Sequence, residues 1–169
     1  MSRFADLPPA AQRARMESTI RTYFDGCNEA DVAKMAAQFT PDAVHYFPPG
    51  LEGPWVGSTT IAENWRRLVL TIGSAWSIER LVIEPETFQA VIEWTHWKTR
   101  PGGYLRGDEW YRFDPDTGLI TEIRAFYASA SDGRSEVTLQ GYDYAAGGHQ
   151  MEPPVKRPHP DAEYAATEH

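Results

Sequence analysis

A chain of 169 residues that is 41% hydrophobic and 12% aromatic holds enough apolar surface for one domain with a sizeable core, which excludes a disordered segment. Its net charge of −8 argues against nucleic acid or an anionic membrane as partner, because both reward basic patches. Cys27 is the single cysteine, so no intrachain disulfide can form; with no membrane-length apolar run and no signal-peptide core, the sequence predicts a cytoplasmic protein.

Pro8-Pro9 set a helix start, and Met16, Ile20, Tyr23, Phe24 and Cys27 then recur at spacings of three and four along one apolar face. Asn28 to Asp31 break this helix. Val32, Met35, Ala36 and Phe39 mark a shorter one, ended by Pro41-Asp42. Ala43 to Phe47 reads as a strand closed by Pro48-Pro49-Gly50, a loop runs through Gly53-Pro54, and Ile61, Trp65 and Leu68 carry a third helix. From Trp76 the period changes. Trp76 to Ile83, Phe88 to Lys98, Tyr104 to Phe113 and Leu119 to Ala128 are rich in branched and aromatic residues, as strands are. Turn sequences Pro101-Gly102-Gly103 and Asp114 to Gly118 separate the last three. Periodicity fades after Gly141, so the chain divides into a domain over 1–140 and a tail over 141–169, expected to be mobile or draped over a neighbour. Helices followed by a meander of strands predict an α+β fold with helices on one sheet face.

Three strand-like segments set ionisable groups among aromatics: His45 beside Tyr46 and Phe47, His96 beside Trp94, and Glu109 alternating with Tyr111 and Phe113. A carboxyl in such surroundings is expected to stay partly protonated, and an imidazole there is the usual tunable base. The alternative for Glu109 is a cross-strand ion pair with Lys98, Arg100 or Arg124; for the histidines, a satisfied core position. Glu79, Glu93, Asp108 and Glu122 read as outward charges in cross-strand pairs with Arg80, Lys98, Arg112 or Arg124, and Arg66 and Arg67 as a solvated edge. Two histidines and a carboxyl can also bind a metal, but no metal or other cofactor is expected.

The run Tyr23 to Asp31, the run Phe39 to Val44 and the closing stretch Gly118 to Tyr127 resemble the nuclear transport factor 2-like superfamily, in its SnoaL-like branch, over roughly residues 10 to 130. The resemblance implies a cone, a cystatin-like α+β barrel: a curved, mostly antiparallel sheet closed by the three N-terminal helices around an apolar pocket. It also implies which strand faces look inward. Carried over by position, Phe47 stands where the steroid isomerases have a catalytic aspartate, and His45 shares its face. His96 and Trp94 fall where limonene epoxide hydrolase has an aspartate and an arginine, and Ala125 replaces a carboxylate of that enzyme. Glu109 falls where the isomerases keep a protonated aspartic acid, Tyr23 matches their oxyanion tyrosine, and Asn28 lies about where several dehydratases place a catalytic aspartate.

These readings predict a cofactor-independent acid–base enzyme for a small, mostly apolar carbonyl- or hydroxyl-bearing molecule, acting by isomerisation, dehydration or ring closure. His96 or His45 would remove a proton, while Glu109 with Tyr23 stabilises an oxyanion or protonates a departing oxygen. Phe47, Trp94 and Tyr111 would shape the cavity, with Tyr127 and Asn28 as further substrate contacts. An epoxide hydrolase and a non-catalytic ligand-binding module are the alternatives. Aromatics on the convex sheet face predict a homodimer.

Overall fold

The structure is a computed structural model that describes residues 3–48, 51–127 and 143–157. Three helices, α1 (Pro9–Glu29), α2 (Val32–Ala36) and α3 (Ser58–Ile72), accompany six strands: β1 (Phe39–Tyr46), β2 (Trp55–Val56), β3 (Ser74–Glu84), β4 (Gln89–Lys98), β5 (Tyr104–Phe113) and β6 (Ile120–Tyr127). The strands form one sheet in the order β2-β1-β6-β5-β4-β3, so β2 and β3 are its open edges. Among the described residues only the β1–β6 pair is parallel. Register shifts in β3 and β5 bend the sheet, as bulges do. The predicted α+β cone is therefore present as a curved, unclosed sheet.

The apolar stripe of α1 buries Met16, Ile20, Tyr23, Phe24 and Cys27 against the inner sheet face, where Ile92, Tyr111, Phe113, Ile120 and Ile123 complete one core with Ile61 and Val69 of α3. Each such aliphatic side chain contributes about 1.5–3 kcal/mol by leaving water. The helix starts at Pro9 and stops where Ala30 turns into the left-handed region at φ 58°. The second helix ends at Ala36 rather than Phe39, because Phe39 already pairs with Ile120 of β6. Pro41 does not interrupt the strand: it lies where the β1–β6 register shifts, a place that needs no ladder donor. The two-residue β2, which the sequence reading left in a loop, pairs Val56 with Val44 and Trp55 with His45. The predicted end of the last strand at Ala128 lies outside the described residues.

Residues 144–151 lie against the outer face of this chain's own sheet. Arg106 stacks between Tyr104 and Tyr144, its Cζ 4.6 and 3.9 Å from the ring centroids. His149 Nε2 lies 2.7 Å from Glu93 Oε1, and the backbone N–H of Gln150 donates to Glu79 at 2.8 Å. Glu79 and Glu93 are thus met by this segment and by Ser77 and Thr95, not by the cross-strand cations expected. Glu122 does pair with Arg124, at 3.2 Å along its own strand. Among the described residues no helix is long and apolar enough to cross a membrane.

Candidate active site

Between the inner sheet face and α3 lies a cavity of about 250 Å³. Trp55, Trp65, Trp76 and Trp94 wall it with Phe47 and Tyr127, and its polar lining is Glu109 and His96, with Glu52, Arg67 and Lys98. Strand alternation puts these groups inside. Glu109, Tyr111 and Phe113 alternate as buried positions on β5, and Ile92, Trp94 and His96 on β4. Register aligns His45 with Ile123 of β6 and Ile123 with Tyr111 of β5, so His45 and Tyr111 flank the next inward residue, Glu109.

The carboxyl of Glu109 has different neighbours at its two oxygens. Oε2 accepts a short hydrogen bond from the Tyr111 hydroxyl, while Oε1 stands 3.5 Å from His45 Nε2. Neither ring nitrogen of the fully buried His45 has a hydrogen-bond partner, and the ring lies among Phe47, Trp55 and Trp65, 4.1 Å from Phe47 between centroids. Burial, then Glu109, then Tyr23 drive the Tyr111 hydroxyl well above its usual range. Burial drives Tyr23 the same way, with Cys27 and Glu109 adding to it. Both phenols therefore stay neutral donors. Neither Tyr23, His45 nor Tyr111 lines the cavity; they form a layer behind Glu109.

His96 forms a second polar point. Its ring stacks on Trp76 at 4.6 Å and 15°, and Nε2 lies 2.8 Å from the hydroxyl of fully buried Ser74. Burial first, and the charge of Lys98 second, push its pKa down to about 3. The unfolded chain takes up a proton here below about pH 6.5 while the folded chain does not. Stability tied to this group is thus full above pH 6.5 and falls by up to about 1.4 kcal/mol per unit as pH drops toward 3. In urea titrations His96→Gln should flatten that acid limb; parallel limbs in variant and wild type would reject a neutral, buried imidazole.

Asn28 is used differently from the expectation. Its side-chain amide donates to Trp76 O and accepts from Trp76 N, both at 2.8 Å, clasping the end of α1 to β3. Arg157 reinforces the clasp, donating to the carbonyl oxygens of Asn28 at 2.6 Å and Ser74 at 3.0 Å. Sequence reading missed Ser74, Lys98 and the walls Trp55, Trp65 and Trp76 as site residues. The tryptophans were visible as aromatics, but Trp76 becomes a wall only through the β3–β4 register, which pairs it with His96, and Trp55 through the pairing of β2 with β1. No group of three His, Cys, Asp or Glu side chains is arranged to hold a metal among the described residues.

Residues 20–123 match the SnoaL-like domain family. The chain belongs to that family. Among solved structures, this SnoaL-like chain is 53% identical to a protein of unknown function with a cystatin-like fold from Methylobium petroleophilum PM1, over 86% of this chain and 97% of that one, with a TM-score of 0.69. At 16% identity it shares its fold with SalBIII, an epoxide hydrolase/cyclase-like enzyme in pyran ring formation in the polyether salinomycin, over 72% and 95% of the two chains (TM-score 0.57). A putative polyketide cyclase from Xanthomonas campestris pv. campestris is similar at 17% identity, over 69% and 92% (TM-score 0.53). No curated protein matches.

Proposed function

We propose that this SnoaL-like protein is a cofactor-independent acid–base enzyme that relocates a proton on a small, mostly apolar substrate bearing a carbonyl or hydroxyl group. Glu109 carries the reading: a carboxyl on the wall of an aromatic cavity, held by Tyr111 at one oxygen and faced by His45 3.5 Å from the other. Glu109 removes a proton from the carbon beside the substrate carbonyl. It returns that proton at a second carbon in an isomerisation, or to a departing hydroxyl, lost as water, in a dehydration. His45 and Tyr111 act through Glu109, orienting it and answering its charge. His96 stays neutral at physiological pH; in the tautomer that lets Nε2 accept from the Ser74 hydroxyl 2.8 Å away, its Nδ1–H is the donor for the developing oxyanion. The apolar walls keep water away from that charge, which strengthens each of these interactions. The buried free thiol of Cys27 suits a reducing, cytoplasmic setting.

Incubating the protein with a panel of enones, secondary alcohols and epoxides, followed by chromatography-coupled mass spectrometry, tests this. A product of unchanged mass, or one lighter by water, supports the proposal. Water gain would make the protein an epoxide hydrolase, and selective retention of an unaltered compound would make it a binding module.

The protein is also proposed to pair with a second copy of itself. Register lines up Tyr46, Arg124, Trp110, Val91 and Val82 across the outer face of β1, β6, β5, β4 and β3. Tyr46, Trp110 and Val82 are 43%, 43% and 63% exposed, a largely apolar row interrupted by Arg124. Sedimentation should give a dimer for the wild type and a monomer for Trp110→Asp; a wild-type monomer at about 10 μM, well above typical dimer constants, would reject the pairing.

A further inference from the structure

We infer that the cavity is built for an apolar acid, an elongated molecule whose carboxylate pairs with Lys98 at the mouth while its reactive carbon lies against Glu109. The inference rests on the reading of this cavity as the substrate site and names the class of substrate it takes.

Lys98 continues the inward stripe of β4 after Trp94 and His96, and it lines the same cavity as Glu109. The two groups stand at opposite ends. Ile92 is the cross-strand partner of Glu109, and six residues of extended strand from Ile92 to Lys98 span about 20 Å before side-chain reach and sheet curvature bring the groups closer. Between them the wall is Trp94, Trp76 and Leu105. The shape therefore asks for a carbon body with one polar end at each extreme.

Charge decides which polar end faces the mouth. The other cation there, Arg67, is answered by Glu52 at 2.7 Å. Lys98 has no carboxylate within ion-pair distance among the described residues, although the chain carries a net charge of −8. His96, the next ionisable group along the stripe, is neutral and adds no charge beside it. An ammonium turned toward apolar walls loses hydration, and an incoming carboxylate restores a charge-assisted partner. A cationic ligand would meet repulsion at the same place. The indole walls supply stacking area for an aromatic or polycyclic body, and the carboxylate fixes which end enters first.

The test titrates 6-phenylhexanoate and its amide, 6-phenylhexanamide, into the protein by calorimetry. The acid should bind about tenfold more tightly than the amide, with its affinity falling as salt rises. Lys98→Met and Lys98→Gln should bind both compounds at the amide's affinity, and Lys98→Arg should restore the preference. Equal affinities in the wild type, a preference that survives Lys98→Met, or no binding of the acid at millimolar concentration would each overturn the assignment. Glu109→Gln should keep the preference. An acid-selective protein that turns over none of the panel compounds would therefore refute the acid–base proposal while leaving this one standing.

Discussion

Glu109→Gln will lower turnover by about 10²–10⁴-fold with little change in stability. The substitution keeps the shape of the side chain and leaves an amide oxygen to accept the Tyr111 hydroxyl, so the buried hydrogen bond behind the cavity survives. It removes the one property that the proposed reaction uses, a proton that can leave and return. Glu109 is 6% exposed and faces His45 rather than any arginine or lysine, so no ion pair with a permanent cation is broken by the change. Removing one partner of such a cationic pair would by itself destabilise strongly, which would blur the result. Equal turnover by the variant and the wild type, measured on whichever panel compound reacts, would remove Glu109 from the chemistry.

The largest effect on stability is expected from Gly107→Ala. Gly107 lies opposite Trp94 on β4 and opposite Tyr127 on β6. A methyl group there would collide with the Phe126 carbonyl oxygen and stand 2.8 Å from Trp94 Cζ2 and 2.9 Å from Tyr127 Cα. A flexible side chain could swing aside, but two of these three atoms are backbone in a paired strand, so relief requires opening the β5–β6 ladder. Overpacking of this kind costs about 3 kcal/mol, which for a chain of this length lowers the melting temperature by about 6–12 °C. An unchanged midpoint by circular dichroism would show that β6 can move away freely. The same glycine lets the Trp94 ring approach the β5 backbone closely, so one absent methyl group shapes the cavity wall.

Much of the fold was legible in the sequence because its cues are local. Alternation grouped Trp94 with His96 along β4 and Glu109 with Tyr111 along β5, the family resemblance implied that these faces look inward, and the spacing in α1 marked its buried face. What escaped depends on distant pairing. Pro41 reads as a stop unless the β1–β6 register shift is known. Trp55 reads as loop because a two-residue strand has no period. Asn28 reads as a ligand-facing amide until β3 arrives to occupy both of its polar atoms. His45 and Glu109 could each be picked as isolated ionisable groups among aromatics, yet only the parallel β1–β6 contact shows that they face each other. Residues 143–157 have no periodic signal because their contacts are made by scattered side chains such as Tyr144, His149 and Arg157.

The strand order also carries a kinetic meaning. The strands that hold His45 and Glu109, β1 and β5, do not pair with each other; β6, the last strand made, slots between them. Phe39 must find Ile120 far along the chain, whereas β3, β4 and β5 can zip up as consecutive neighbours. Closing the long loop comes at a high entropic cost and is expected to be slow. A nascent chain that has formed the β3–β5 meander already displays His96 and Glu109, but it lacks the strand that delivers His45. The facing His45–Glu109 pair is therefore expected to assemble at the end of folding, and the hydrogen-exchange protection of β6 amides should appear together with it rather than before.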